Sequence, residues 1–267
     1  MTVTRPEQPT PQQVPGHDLL LDKTVVVTAA AGAGIGAAVA RRALEEGAGT
    51  VVVSDTHEQR LARTQESLAT EFGAHRVRSL AVDVTAEEQV QALLDVADEH
   101  GGVDVMINNA GLGGTADVLE MADEQWARVL DITLTGTFRC VRAAGRRMRA
   151  AGTRGVIVNN ASVIGWRAQE GQAHYAAAKA GVMALTRCAA LDVAGHGIRV
   201  NAVAPSLAMH PFLEKVTSDE LLAELKQREA FGRAAEPWEV ANVMVFLASD
   251  YSTYMTGEVV SVSSQHA

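Results

Sequence analysis

Two kinds of hydrophobic pattern alternate along this chain. Short runs rich in β-branched residues occupy positions 24–28, 50–54, 77–82, 103–107, 155–159, 198–203 and 258–262. Runs of that length with near-continuous apolar character read as strands buried on both faces. Between them lie longer stretches, 35–46, 60–72, 87–100, 123–150, 173–194 and 237–248, in which apolar residues recur every three or four positions. That spacing places an apolar stripe along a helix. Strands followed in turn by helices predict an α/β fold, a parallel sheet covered by helices on both faces.

Two intervals break the rhythm. Residues 1–17 are rich in Pro and Gln and predict a disordered tail, which leaves 18–267 as one domain without a linker or repeat. Residues 206–233 are too long for a simple crossover and carry a helical patch at 218–229. Long excursions beyond the carboxyl end of a strand are where lids and binding loops occur, so this interval reads as a substrate-covering segment.

Composition narrows the function classes. The 267 residues carry a formal net charge of −9, which argues against nucleic acid as a partner. No apolar run reaches the length needed to span a bilayer, and the N-terminus lacks the apolar middle of a signal peptide. Only two cysteines are present, Cys140 and Cys188; both lie in apolar helical stretches and read as buried, reduced thiols. A cytoplasmic protein without disulfides or membrane contact is expected, and no metal site.

The first predicted strand runs into Ala29-Ala30-Ala31-Gly32-Ala33-Gly34-Ile35-Gly36, where a helix begins. Glycines here let backbone approach a pyrophosphate, and the helix start offers free N–H groups to its oxygens. Such a loop alone is often only a tight turn. Its place after the first strand, with Asp55 ending the second, points to a dinucleotide site. Asp55 would accept hydrogen bonds from ribose hydroxyls and repel a 2′-phosphate, so NAD is expected over NADP, although NADP stays possible. Asp83-Val84 and Asn108-Asn109-Ala110-Gly111 end the third and fourth strands at the same, ligand-facing edge. Small residues at Ala110 and Gly111 would let chain pass close to the ligand; Asn109 is as well suited to tying strands together.

Tyr175 and Lys179 are one helical turn apart on one face. A phenol normally titrates near about pH 10, and a neighbouring cation is expected to lower that value. Such a tyrosine can exchange a proton with a carbonyl or hydroxyl oxygen. Ser162, shortly after the fifth strand, would hold the same oxygen, and Lys179 would also bond the nicotinamide ribose. A Tyr-x-x-x-Lys spacing occurs by chance on many helices; its position downstream of Ser162 and of a dinucleotide loop gives it weight.

Taken together, the Gly-rich turn, Asp83-Val84, the segment from Asn108 to Gly111, Ser162 with Tyr175 and Lys179, the strand from Arg199 to Pro205 and the segment Phe246-Leu247-Ala248-Ser249-Asp250 resemble the short-chain dehydrogenase/reductase family over nearly the whole chain. The resemblance implies a single Rossmann-like, doubly wound domain with a seven-stranded parallel sheet. It also implies a nicotinamide cofactor contacted by Ala30, Gly32, Gly34, Ile35, Gly36, Asp55, Asp83, Val84, Asn109, Ala110, Gly111, Tyr175, Lys179 and Pro205, and a homodimer or homotetramer built on the helices at 123–150 and 173–194. The family's Thr-Gly opening aligns with Ala29-Ala30, and its frequent Asn in the relay to Lys179 aligns with Thr133, which takes that catalytic place here. The usual Pro-Gly becomes Pro205-Ser206, a frequent Thr becomes His210, and the usual Asp-Gly-Gly becomes Ser263-Ser264-Gln265.

Within the family, the stretch from Asn159 to Gln169, the Gly-rich loop and the ending 258–265 are similar to those of actinobacterial steroid-ring-degrading reductases. These act on a hydroxylated bicyclic indanone carried as a coenzyme A thioester; 3-oxoacyl thioester reductases are the broader resemblance. The substrate implied is thus a small molecule, in one reading a coenzyme A thioester. A catalytically silent NAD(H)-sensing protein is the alternative from another class. Trp166 and Arg167 follow the serine where substrate walls commonly lie; Arg167 could pair with a carboxylate or phosphate, or equally form a surface or interface ion pair. His174 reads as a helix-start residue bonded to backbone or as a substrate contact. Met209, His210, Phe212 and Leu213 could line a pocket or pack on the sheet, and Trp126 and Trp238 read as packing residues.

Overall fold

The computed structural model describes residues 7–209 and 219–265. The strands are β1 (Thr24–Val27), β2 (Thr50–Asp55), β3 (Val77–Ala81), β4 (Val105–Asn108), β5 (Val156–Asn160), β6 (Arg199–Pro205) and β7 (Val259–Val262). They pair in parallel throughout, in the order β3-β2-β1-β4-β5-β6-β7. The helices are α1 (Ile35–Glu45), α2 (Glu58–Phe72), α3 (Glu87–Asp98), α4 (Asp123–Leu130), α5 (Gly136–Ala151), α6 (Ala173–Val193), α7 (Asp219–Arg228) and α8 (Pro237–Ala248).

Two buried clusters sit on opposite faces of the sheet, and the pleat sorts side chains between them. Val25, Val27, Val51, Val53, Ile107 and Val158 point to one face, against Val39 and Leu44 of α1 and Met244 and Leu247 of α8. Val26, Val52, Met106, Ile157 and Val200 point to the other, against Leu93 and Leu94 of α3 and Cys140, Ala144 and Met148 of α5. This is why the central strands read as unbroken apolar runs. The edge strand β3 buries only Val77 fully and exposes Ala81, so burial on both faces does not extend to it.

Several expectations are corrected. Of the tail expected to be disordered over 1–17, residues 13–17 lie against the C-terminal end of α1, and the Gln8 amide donates to the Phe231 carbonyl. The buried Arg42 guanidinium donates to the carbonyls of Val14 and Pro15 and to Glu46, and the buried Glu46 carboxylate accepts from the amides of His17 and Leu19. An ion pair this far from water needs further hydrogen bonds, and the tail backbone supplies them to both guanidinium Nη atoms and to the carboxylate, leaving Arg42 Nε without a partner. The helix expected across 123–150 is divided by one π-helical turn at Asp131–Thr135. Cys140 is buried, its thiol pushed up to about 12 by burial, whereas Cys188 is exposed. Trp126 is exposed rather than packed.

Part of the interval expected to cover substrate, 210–218, lies outside the described residues, and with it His210, Phe212 and Leu213. Within that interval α7 forms as the patch predicted. Among the described residues no helix is long and apolar enough to cross a membrane.

Candidate active site

The strand order reverses between β1 and β4, and the loops after their carboxyl ends flank the cleft in which sheets of this kind usually hold a ligand. Its floor is a network of short polar side chains. The Thr28 hydroxyl accepts from the amides of Asn109 at 3.0 Å and Ala110 at 3.1 Å. Asn109 Nδ2 donates to the Ala29 carbonyl at 3.0 Å, and its Oδ1 accepts from Asn160 Nδ2 at 2.9 Å. Both ends of the Asn109 amide are therefore spent on the protein, which makes it the tie between β1, β4 and β5. Thr28 and Asn160 were missed in the sequence. The signal was there: β4 and β5 each end in an Asn doublet, and the structure pairs them one to one, Asn108 with Asn159 at 2.8 Å and Asn109 with Asn160.

The Gly-rich loop fits a dinucleotide. A Cβ at Gly32 or Gly34 would meet nothing within 4 Å, so open space lies over the loop. A Cβ at Gly36 would sit 2.4 Å from the Ala29 carbonyl oxygen, so helix and strand approach there too closely for any other residue. Helix α1, opening with Ile35, has no side-chain cap and no acidic residue in its first turn, which leaves its N–H groups free for an anion. Two residues of this turn have positive φ, Ala29 (φ 50) and Gly32 (φ 95), whereas Ala30 is buried and donates its amide to the Ser54 carbonyl.

Asp55 stands at the end of β2. Its carboxylate accepts from the amides of Ala31 at 3.3 Å and His57 at 2.9 Å, and Arg60 approaches to 3.6 Å. Asp83 lies beyond β3 rather than at its end and folds back to accept from the amide and hydroxyl of Thr85; Val84 is buried. Pro205 ends β6, buried in the sheet.

On the other side of the cleft, Ser162, Tyr175 and Lys179 come together. Ser162 follows β5 and begins a single 3-10 turn, its hydroxyl accepting from the Ile164 amide at 3.3 Å. Lys179 is 3% exposed, and its Nζ donates to the Asn160 carbonyl at 2.5 Å and lies 5.5 Å from the centre of the Tyr175 ring. The chain from Gly111 to Gly113 passes against both: a Cβ at Gly111 would be 3.4 Å from Lys179 Nζ, and one at Gly113 would be 3.9 Å from the Tyr175 ring.

Burial dominates the electrostatics. It pushes the Tyr175 phenol up to about 12, with the Ser162 hydrogen bond acting the other way, and it lowers the Lys179 ammonium to about 8. The phenol is thus raised rather than lowered as expected: desolvation of the phenolate is the larger effect, and what opposes it is the Ser162 hydrogen bond.

Thr133 is fully buried within the π-helical turn, and its hydroxyl accepts from the Leu112 amide at 3.0 Å and donates to the Leu112 carbonyl at 3.2 Å. Its one proton is thus committed to backbone. This corrects the catalytic place expected for it: Thr133 holds the loop that faces Lys179. His174 is buried with an unpartnered Nδ1, so the backbone bond expected of it is not formed.

Over residues 29–264 the sequence matches the family described as enoyl-(acyl carrier protein) reductase. The chain belongs to the short-chain dehydrogenase/reductase family. This short-chain dehydrogenase/reductase is 60% identical to the (5R,7aS)-5-hydroxy-7a-methyl-1-oxo-2,3,5,6,7,7a-hexahydro-1H-indene-carboxyl-CoA reductase of Mycobacterium tuberculosis, over 96% of its own length and 97% of the relative's. It is 42% identical to the cis-4-hydroxycyclohexanecarboxylate dehydrogenase of Sinomonas cyclohexanicum, over 90% and 95% of the two chains. A solved short chain dehydrogenase from Mycobacterium smegmatis superposes with a TM-score of 0.86 at 55% identity, covering 97% of this chain and 99% of the other. Such an oxidoreductase works between secondary alcohol and ketone with a nicotinamide dinucleotide.

Proposed function

We infer that this short-chain dehydrogenase/reductase uses NAD(H) to interconvert an alcohol and a ketone on an alicyclic substrate bearing a carboxylate or a coenzyme A thioester. The observation that carries the reading is a phenol and a buried ammonium one turn apart, beside the Ser162 hydroxyl, at the mouth of the Gly-rich cleft. The substrate class rests on the likeness to the indene-carboxyl-CoA reductase and the hydroxycyclohexanecarboxylate dehydrogenase.

Gly32, Gly34, Ile35 and Gly36 would hold the pyrophosphate, Asp55 the adenosine ribose, Asp83 and Val84 the adenosine side, and Ala110, Gly111, Lys179 and Pro205 the nicotinamide half; Ala30, fully buried with its amide on Ser54, is left out of these contacts. A reduced nicotinamide held by these residues would supply the hydride for the ketone carbon. Ser162 and Tyr175 hydrogen-bond the ketone oxygen, and Tyr175 passes it the phenolic proton as that oxygen gains charge. The Lys179 ammonium stabilises the phenolate left behind. Burial raises the Tyr175 phenol to about 12, so in the reducing direction it starts as the proton donor.

The assay adds a ketocycloalkane carboxylate or its coenzyme A thioester to protein with NADH or NADPH and follows nicotinamide absorbance. Turnover faster with NADH is expected, because the Asp55 carboxylate repels a 2′-phosphate. Faster turnover with NADPH overturns the role given to Asp55. Tight nucleotide binding without turnover favours a nucleotide-sensing protein, a reading supported only by the occupied Thr133 hydroxyl.

For assembly, the exposed Trp126, Phe138 and Leu191 on α4, α5 and α6 support a homodimer or homotetramer. Sedimentation at micromolar concentration should give a multiple of the chain mass; a monomer alone would remove this proposal. A cytoplasmic location fits thiols left unpaired at Cys140 and Cys188.

A further inference from the structure

Arg167 stands at the end of a hydrogen-bond chain that joins three segments beside the Ser162 loop. Glu229, directly after α7, is 1% exposed. Its Oε2 accepts from the Ser264 hydroxyl at 2.7 Å, and its Oε1 from the Gln265 side-chain Nε2 at 2.7 Å and the Leu207 backbone amide at 3.4 Å. The Gln265 carboxamide oxygen in turn accepts from Arg167 Nη1. The Arg167 amide donates to the Val163 carbonyl at 3.0 Å, which fixes the side chain's root five residues after Ser162.

The far end of this chain is incomplete. Arg167 Nη2 is buried and has no hydrogen-bond partner, and Arg167 joins no ion pair among the described residues. A guanidinium donor taken from water without an acceptor is costly, and a neutral amide does not compensate the charge. The planar fork suits a carboxylate or a phosphate, which can take two parallel hydrogen bonds. The carboxylate that might have neutralised Arg167, Glu229, is held one amide away by Gln265. Glu229 therefore orients the cation without quenching it.

We propose that Arg167 recognises an anionic oxygen group, carboxylate or phosphate, carried by the substrate, and that Gln265 and Glu229 position its guanidinium for that contact. The inference rests on the proposed alicyclic substrate and adds the residue that selects its charge. Arg167 is the specificity residue here; Gln265 and Glu229 act through it.

The test is calorimetric titration of the protein bound to oxidised NAD, which has no hydride to give a ketone, with three ligands: a ketocycloalkane carboxylate, its coenzyme A thioester and the neutral carboxamide. Arg167→Ala is expected to weaken an anionic ligand by about 10-fold to 100-fold and to leave the carboxamide unchanged, as loss of a charged hydrogen bond implies. Gln265→Ala should lose part of the same selectivity, and Arg167→Lys should restore part of it. A loss confined to the carboxylate places the anion on the ring acid; one confined to the thioester places it on the coenzyme A phosphates. Equal losses on all three ligands, or no loss on either anion, overturn the proposal. Charge-selective binding without turnover would leave this inference standing and refute the catalytic reading, because the titration needs no chemistry.

Discussion

Replacing Tyr175 with phenylalanine is expected to lower turnover by about 10²-fold to 10⁴-fold, the range typical of a lost general acid. NADH affinity should stay within about twofold in a titration of nucleotide fluorescence, since the ring itself is retained. The phenol is the one acidic proton that the site places beside Ser162, and Phe fills nearly the same volume. A variant that keeps more than about a tenth of wild-type turnover would show that another group supplies the proton. The pH profile gives a second reading. Burial holds Tyr175 protonated up to about 12 and lets Lys179 lose its proton near about 8. Below that point the charge that stabilises the phenolate is present; above it the charge is gone. Reduction should therefore slow as pH rises through about 8, and a profile flat to about 10 would separate Lys179 from the chemistry.

Gly36→Ala is expected to abolish nucleotide binding and to lower the melting temperature. The added Cβ would lie 2.4 Å from the Ala29 carbonyl oxygen and 2.6 Å from Asn109 Nδ2. The first contact is backbone that already carries a left-handed residue at Ala29, so it has little freedom to yield. The second pushes on Asn109, whose partner Asn160 holds Lys179 through its carbonyl. Overpacking of this kind costs about 1–3 kcal/mol, roughly 2–12 °C in melting temperature at this size. The matched control is Gly34→Ala, where the added Cβ meets nothing within 4 Å; its melting temperature should hardly move. Equal melting shifts in the two variants, read by calorimetry, would show that close approach at Gly36 is not what the loop requires.

The two substitutions mark two different debts to the sequence. Tyr175 and Lys179 share a face because four residues make about one helical turn, a relation any helix would impose. Ser162 joins them only because β5 and α6 fold against each other. Gly36 lies in a readable motif, yet the neighbours that exclude a side chain are Ala29 and Asn109, the second from another strand. The tie through Asn109 and Asn160 was half-legible as two doublets, and its pairing came from parallel register between β4 and β5.

By itself the amino-acid sequence determined what depends on near neighbours. The apolar runs set the strands, the three-to-four spacing set the helices, and the alternation of the two set a parallel, doubly covered sheet. The motifs set which residues reach its carboxyl edge. The tertiary structure alone decided where hydroxyls and charges end: the Thr133 hydroxyl on Leu112 rather than in a relay, the tail on the Arg42–Glu46 pair, Arg167 reaching Gln265 at the far end of the chain. It alone decided that the Tyr175 phenol rises rather than falls. Local periodicity is a property of backbone geometry and can be read along the chain. Desolvation and polar pairing depend on which distant atoms displace water, and that is settled only when the strands and helices have packed.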